Sequence, residues 1–306
     1  MGTFIPTSAS AAASAAAESI FSALSASSDA GEEGRVLMVD ISLPSYDPLS
    51  GPNVYDDIGA VEFCSELAKR INHQRSSCDV LRKEGRCAII VKDGTLASRS
   101  NKLLTNEPEE DIIVEFDDFA DLGMPSEMDE SVQDENAYRI GSFTGDGADT
   151  ISNGPRMMQE IAALVAANAM PAAEAKHEDV IIISCPTMNQ AELVGVRLLV
   201  SQYSRSKTIV IVNNRLDPLP TELITSETVY SVLPLIARSV KGDSDNPKIV
   251  LLRRYPKNWE IHLDSKGDAG FQLVSTIPAE TVGLRGPSME LIGERVKSYM
   301  QTKFGA

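Results

Sequence analysis

Buried strands alternating with amphipathic helices dominate the hydrophobic pattern of the chain. Residues 179–214 contain an apolar strand, a turn, an amphipathic helix and a second apolar strand, which is the pattern of a parallel crossover. Apolar runs also occupy 35–41 and 87–91. Each is followed by a segment predicted to be helical, the first extending to about His73 and the second to about Leu104. The pattern predicts an α/β fold with a doubly wound, mainly parallel, Rossmann-like sheet.

The last part of the chain has a different pattern. Three strand-like runs, 248–254, 259–263 and 271–276, are joined by short segments rich in turn-forming residues. Such closely spaced runs are typical of consecutive antiparallel strands. They predict a C-terminal antiparallel meander over 247–277, and apolar residues at helical spacing predict a final helix over 288–300.

We expect one α/β domain over 31–306. Residues 1–30 are mostly Ala and Ser, and predict either a helix docked through Ile20 and Leu24 or a flexible arm. Thirteen acidic residues and no basic residue lie between positions 107 and 135. A charge run of this kind is typical of a solvated insertion.

Charge and composition narrow the classes of function. The formal net charge is −16, with 44 acidic and 28 basic residues, and such a chain repels nucleic-acid backbones. No apolar run reaches the roughly 18 residues of a membrane span, so any membrane association is expected to be peripheral. The first thirty residues contain no Lys or Arg, so we expect that a targeting segment is absent from this chain.

Motifs for catalysis, metals or cofactors are missing. The sequence has no GxxxxGK[ST], GxSxG or HExxH, and Gly145-Asp146-Gly147 lacks the third glycine of a dinucleotide loop. The four cysteines have no metal-binding spacing and favour a reducing compartment. Cys185 is interpreted as an inert thiol in preference to a nucleophile. We predict no metal and no cofactor, and favour a non-enzymatic role.

A candidate cleft follows from the predicted sheet, because ligands of such folds bind beyond the carboxyl ends of parallel strands. Two adjacent amides at one of these ends either fix a polar ligand or cap the next turn, and the cap is favoured. The predicted rim residues are Lys92, Asp93, Ser184, Thr187, Asn213 and Asn214.

A basic and aromatic cluster in the meander is a second candidate site. Such a cluster in an acidic protein suits an anionic ligand or a protein partner. The alternative is a hairpin whose Trp259 packs in the core while the cations cover the strand edge. The residues of the predicted partner site are Arg253, Arg254, Tyr255, Lys257 and Trp259.

Several segments resemble one known family. They lie at 5–8, 36–44, 213–216, 229–234 and 254–259, and the tyrosine-proline-x-x-tryptophan step in the last is the most specific. In this order they are similar to a chloroplast and cyanobacterial domain-of-unknown-function family. Its members include a low-photosystem-II-accumulation assembly factor and the C-terminal part of a plastid adenylate kinase.

The resemblance implies a plastid location, in the stroma or on the stromal face of the thylakoid. It also implies a protein partner, a photosystem or membrane-insertion component. The leading hypothesis is a non-enzymatic protein that binds this partner during photosystem assembly or maintenance. The alternatives are a small-molecule or nucleotide-binding α/β protein, which would include an enzyme, and a structural subunit of a photosynthetic complex.

Overall fold

A computed structural model of the chain describes residues 5–6, 8–28, 35–41, 57–104, 138–145, 157–236, 248–264, 270–284 and 286–304. The predicted acidic insertion at 107–135 lies outside these residues. The helices are α1 (Ala9–Ser28), α2 (Asp57–Gln74), α3 (Gly94–Leu104), α4 (Met157–Leu164), α5 (Gln190–Tyr203) and α6 (Met289–Phe304). A single π turn, Val165–Ala169, continues α4.

The strands form one mixed sheet. They are β1 (Arg35–Ile41), β2 (Arg86–Asp93), β3 (Tyr138–Thr144), β4 (Glu178–Ser184), β5 (Thr208–Val212), β6 (Glu227–Ile236), β7 (Lys248–Arg254), β8 (Trp259–Asp264) and β9 (Phe271–Ile277). Their order is β3-β2-β4-β5-β1-β6-β7-β8-β9. The pairs from β3 to β6 are parallel and those from β6 to β9 are antiparallel.

The predicted fold class is confirmed. Ile182 of β4 lies opposite Val210 of β5 in parallel register, as the crossover pattern requires. All five residues of β5 and all seven of β4 are buried, because helices cover both faces of this part of the sheet. The antiparallel meander at the C-terminal end is also present.

One strand was not predicted. β6 pairs with β1 on one side and with β7 on the other, so it is the strand at which the sheet changes from parallel to antiparallel. Its sequence includes Pro234, which lacks an amide hydrogen. The described pairing with β1 extends to Val232, so Pro234 lies beyond this ladder and its missing amide hydrogen does not interrupt it.

Three clusters of buried side chains hold the layers together. α1, α2 and α3 pack on one face of the sheet, and α4 and α5 pack on the other. α6 forms the third cluster with β7, β8 and β9. The alanine-rich α1 contributes fully buried small residues together with Ile20 and Leu24 to the first cluster, so it approaches α2 closely.

Candidate functional site

An open cavity of about 300 Å³ lies at the carboxyl ends of β1 and β5. Its walls combine charged, amide and apolar side chains. The lining residues are Met38, Asp40, Ile41, Asn213, Asn214, Arg215, Leu216, Asp217, Leu233 and Leu284. We call this cavity the β1–β5 cleft.

The position of the β1–β5 cleft follows from the topology. After β1 the chain continues to α2, which packs in the first cluster. After β5 it continues to Leu216 and Leu223, which pack in the second cluster on the opposite face. Neighbouring strands whose connections leave toward opposite faces open a crevice between them, and this is where doubly wound proteins bind ligands.

Asn213 joins the two strand ends that form the base of the cleft. Its backbone amide donates to the carbonyl of Val39 at 2.8 Å, and its Oδ1 accepts from the amide of Ile41 at 2.7 Å. The backbone φ of Asn213 is 51°, in the left-handed region that asparagine tolerates better than most residues. Its side chain therefore has a structural role in addition to facing the cleft.

The backbone beyond Asn213 turns sharply. The side-chain Oδ1 of Asn214 accepts a hydrogen bond from the amide of Leu216 at 3.1 Å, which is the cap geometry that the sequence favoured for this pair of amides. The amide of Arg215 donates to the carbonyl of Pro186, 3.0 Å away. These bonds fix the loop in the conformation that presents Arg215 and Asp217 to the cleft.

Asp40 is a lining residue whose pKa is raised by its surroundings in the cleft. It is half-buried at the end of β1. Burial raises its pKa to about 6, and a hydrogen bond from the backbone amide of Asn214 opposes this rise. A carboxyl group with a pKa near neutrality in a cleft is typical of binding and catalytic sites.

Asp40 does not form a salt bridge with any residue that the structure describes. A carboxylate that is partly removed from water without a counter-charge is costly. Sequence reasoning placed Asp40 at a strand end but did not include it among the rim residues. The available signal was an ionisable residue that directly follows the apolar run 36–39.

The predicted rim residues divide between two parts of the same sheet edge. Asn213 and Asn214 line the cleft, whereas its lining does not include the four predicted at the ends of β2 and β4. Asp93 accepts a hydrogen bond from the amide of Leu96 at the start of α3. Thr187 Oγ1 accepts one from the amide of Asn189, which precedes α5.

The other two rim residues contact neighbouring elements. The carbonyl of Lys92 accepts a hydrogen bond from the Thr144 hydroxyl at 3.4 Å. Ser184 is buried, and its hydroxyl lies beside the Cys64 thiol. Burial raises the pKa of the Cys64 thiol far above its ordinary value, so this thiol stays protonated. Cys185, which follows Ser184, is half-buried and has a φ of 46°.

The basic cluster of the meander is largely inside the protein. Arg253 is 2% exposed, its guanidinium lies 3.7 Å from Glu227 and it stacks over the Tyr255 ring at 5.7 Å. Trp259 is 3% exposed and packs in the third cluster. Lys257 is exposed, so it is the cation of this cluster that a partner protein would meet first.

The remaining residues of the cluster are partly covered. Arg254 is half-buried, and it lies opposite Tyr230 in the β6–β7 ladder. The amide of Tyr255 donates to the carbonyl of Val229, and its ring packs against the first cluster. Within the predicted partner site, the turn at 256–258 is exposed, whereas Arg253 and Trp259 on either side of it are buried.

The residues that the structure describes contain no group of three or more His, Cys, Asp and Glu side chains arranged to hold a metal ion. None of their helices is long and apolar enough to cross a membrane.

A comparison with known protein families identifies the family of the chain. Residues 6–283 match a family described as a domain of unknown function, DUF1995. No curated protein matches the chain.

Proposed function

The chain belongs to the DUF1995 family over nearly its whole length, and we propose that it is a small-molecule-binding protein whose ligand occupies the β1–β5 cleft. The observation that carries the proposal is the convergence of Asp40, Asn213 and Arg215 on one open cavity. Asp40 lies far from Asn213 and Arg215 in the sequence. The topology brings them together where proteins of this architecture bind ligands.

The energetics of the cleft support binding. Asp40 is held partly out of water with a raised pKa, and Asn213 adopts a left-handed backbone conformation. Each arrangement lowers the stability of the free protein. A ligand that contacts Asp40 would recover part of this free energy, which is how a preorganised site gains affinity.

A thermal-shift screen of a library of small polar metabolites tests the proposal. A ligand at a hundredfold its dissociation constant should raise the free energy of unfolding by about 2.7 kcal/mol. Leu233→Trp, which narrows the cleft, should abolish the shift, and Leu103→Trp on an exposed part of α3 should not. A flat screen, or a shift that Leu233→Trp leaves intact, would count against the cleft.

A second candidate function is binding of a protein partner in plastids during photosystem assembly or maintenance. Its support is the resemblance carried by 254–259 and the family match over 6–283, together with the exposed turn at Pro256–Asn258. The partner would be a photosystem or membrane-insertion component, and the location would be the stroma or the stromal face of the thylakoid.

Affinity capture from thylakoids tests the second candidate. Because Arg253 is buried, reversing its charge would disturb the fold, so Lys257→Glu is the informative change. Its control is Lys83→Glu, at another exposed lysine. Capture of a photosystem component that is lost with Lys257→Glu and kept with Lys83→Glu supports the proposal. Capture of no such component by the wild-type chain contradicts it.

A further inference from the structure

We propose that the β1–β5 cleft selects a ligand with a protonated amine or amidine on a small apolar body, and rejects phosphorylated ligands of the same size. This inference rests on the proposed function and gives its ligand a chemical class. Four features of the cleft support it: the charges of its lining, the backbone amides that are already hydrogen-bonded within the protein, the apolar walls and the ionisation of Asp40.

The charge of the cleft favours a cation. Among the described lining residues, Asp40 and Asp217 bring carboxyl groups and Arg215 brings a guanidinium. The described part of the lining therefore holds two potential negative charges and one positive charge. Asp40 also lacks a salt-bridge partner among the described residues. A ligand ammonium or amidinium would donate a charge-assisted hydrogen bond to this carboxylate.

The backbone at the end of β5 is unsuitable for phosphate. Phosphate sites of α/β proteins use free amides of a loop and the start of a helix. Here three of four consecutive amides have a protein acceptor: Asn213 donates to Val39, Arg215 to Pro186 and Leu216 to Asn214. The remaining amide, that of Asn214, lies beside the Asp40 carboxyl group. No α-helix lies between β5 and β6, where the only helical element is the 3₁₀ turn Thr221–Leu223.

The opposite walls of the cleft fit an apolar body. Met38, Leu216, Leu233 and Leu284 contribute these walls. They come from β1, from the loop after β5, from β6 and from the segment after β9. A cavity of about 300 Å³ is at the small end of the range for ligand clefts, which suits one ring with a short polar arm.

Asp40 makes binding of an amine dependent on pH. Its surroundings contain Arg215 and Asp217 on the loop after β5, while β6 contributes Ser231 beside it and β7 contributes Arg253 one strand further. The Arg253 guanidinium lies near Glu227 and Tyr255. Because the pKa of Asp40 is about 6, amine affinity should increase as the carboxyl group ionises.

Three probes that share a phenyl ring and differ in the charged group test this inference on the full chain. They are phenethylamine, 3-phenylpropionate and phenyl phosphate, measured by titration calorimetry and ligand-detected NMR. We expect phenethylamine to bind most tightly. Its affinity should fall about tenfold between roughly pH 8 and pH 5, and Asp40→Asn should weaken it on the order of tenfold or more.

Asp79→Asn is the matched control, because it makes the same charge change at an exposed position. It should leave amine affinity unchanged. Tighter binding of 3-phenylpropionate or phenyl phosphate overturns the ligand class and leaves the cleft proposal standing. Equal amine affinity of the two Asn variants places the amine elsewhere and also overturns it. Failure of all three probes overturns the ligand class, and a flat metabolite screen is required to overturn the proposed function as well.

Discussion

The backbone amide of Asn214 lies beside the carboxyl group of Asp40, so the end of β5 meets the end of β1 at the base of the cleft. Burial raises the pKa of Asp40 to about 6, and hydrogen bonding from the Asn214 amide opposes this rise. The resulting carboxyl group changes its charge in a range where few aspartates do.

Replacement of Asp40 by Asn should stabilise the protein in a pH-dependent way. The ordinary pKa is 3.8 and the folded pKa is about 6, so the folded state binds the Asp40 proton more tightly than the unfolded chain does. The stabilisation from this proton is present below about pH 4 and is lost as the pH rises through about 6.

Asn does not ionise, so the Asp40→Asn variant avoids the destabilisation that ionised Asp40 causes in the wild type. Its free energy of unfolding relative to wild type should increase by about 1–2 kcal/mol between roughly pH 4 and pH 8, after discounting for partial exposure. Urea unfolding at several pH values measures this difference. Asp79→Asn should show no such trend, and a pH-independent difference for Asp40→Asn would contradict the assignment.

Two substitutions of Asn213 separate its hydrogen bond from its backbone conformation. Asn213→Gly loses the 2.7 Å bond to the amide of Ile41 but accepts a φ of 51°, and should cost about 1 kcal/mol. Asn213→Ala loses the same hydrogen bond and also strains the backbone, so it should lower the free energy of unfolding by about 1 kcal/mol more than Asn213→Gly does. Chemical denaturation measures both variants, and equal stabilities would show that the left-handed conformation carries no cost.

Gly195→Ala should destabilise the protein, because α5 approaches β3 closely at this point. A Cβ at Gly195 would lie 2.8 Å from Cε1 of the buried Phe143, and such overpacking costs about 1–3 kcal/mol. Gly293→Ala in α6 is the control, since its Cβ would meet nothing within 4 Å. That change should stabilise the helix by about 0.5–1 kcal/mol. Thermal unfolding should show opposite signs for the two variants.

Asp179→Ala should be strongly destabilising. Asp179 accepts hydrogen bonds from the Arg75 guanidinium, at 2.7 Å for Oδ1, and from the amide of Arg82 at 2.9 Å. Both charged side chains of the pair are buried. Removal of the Asp179 carboxylate leaves the charge of Arg75 buried without its partner. This should lower the free energy of unfolding by about 3–5 kcal/mol.

Glu66→Ala is the comparison for Asp179→Ala, because it breaks the exposed pair between Glu66 and Lys69. It should cost less than about 1 kcal/mol. Urea unfolding measures both variants. Similar losses for the two would mean that the Arg75–Asp179 pair has an alternative partner or access to water.

The parallel half of the sheet could be predicted because its strands are apolar along their whole length. Val180 to Ile183 and Ile209 to Val212 are buried on both faces, and this pattern is typical of a central parallel sheet. β6 could not be predicted in the same way, because Pro234 interrupts its run and its partners, β1 and β7, are far from each other in sequence.

The cavity lies at the sheet edge where the sequence predicted a cleft, and two of the six predicted rim residues, Asn213 and Asn214, line it. Local sequence shows where strands end, and so it identified Asn213 and Asn214. It does not show which strands are neighbours, and the position of β1 between β5 and β6 is what adds Asp40 and Leu233. Burial of Arg253 has a similar origin, since β7 lies inside the sheet and not at its edge.

The lining of the cleft extends from Met38 to Leu284, so the site is distributed over most of the polypeptide. A shortened chain that ends after β6 would retain Asp40, Asn213 and Arg215 but lack the wall at Leu284 and the strand that pairs with β6. Ligand searches on such a fragment would sample an incomplete recognition surface. Work on this protein therefore requires an undivided polypeptide, even when the question concerns only the residues around Asp40.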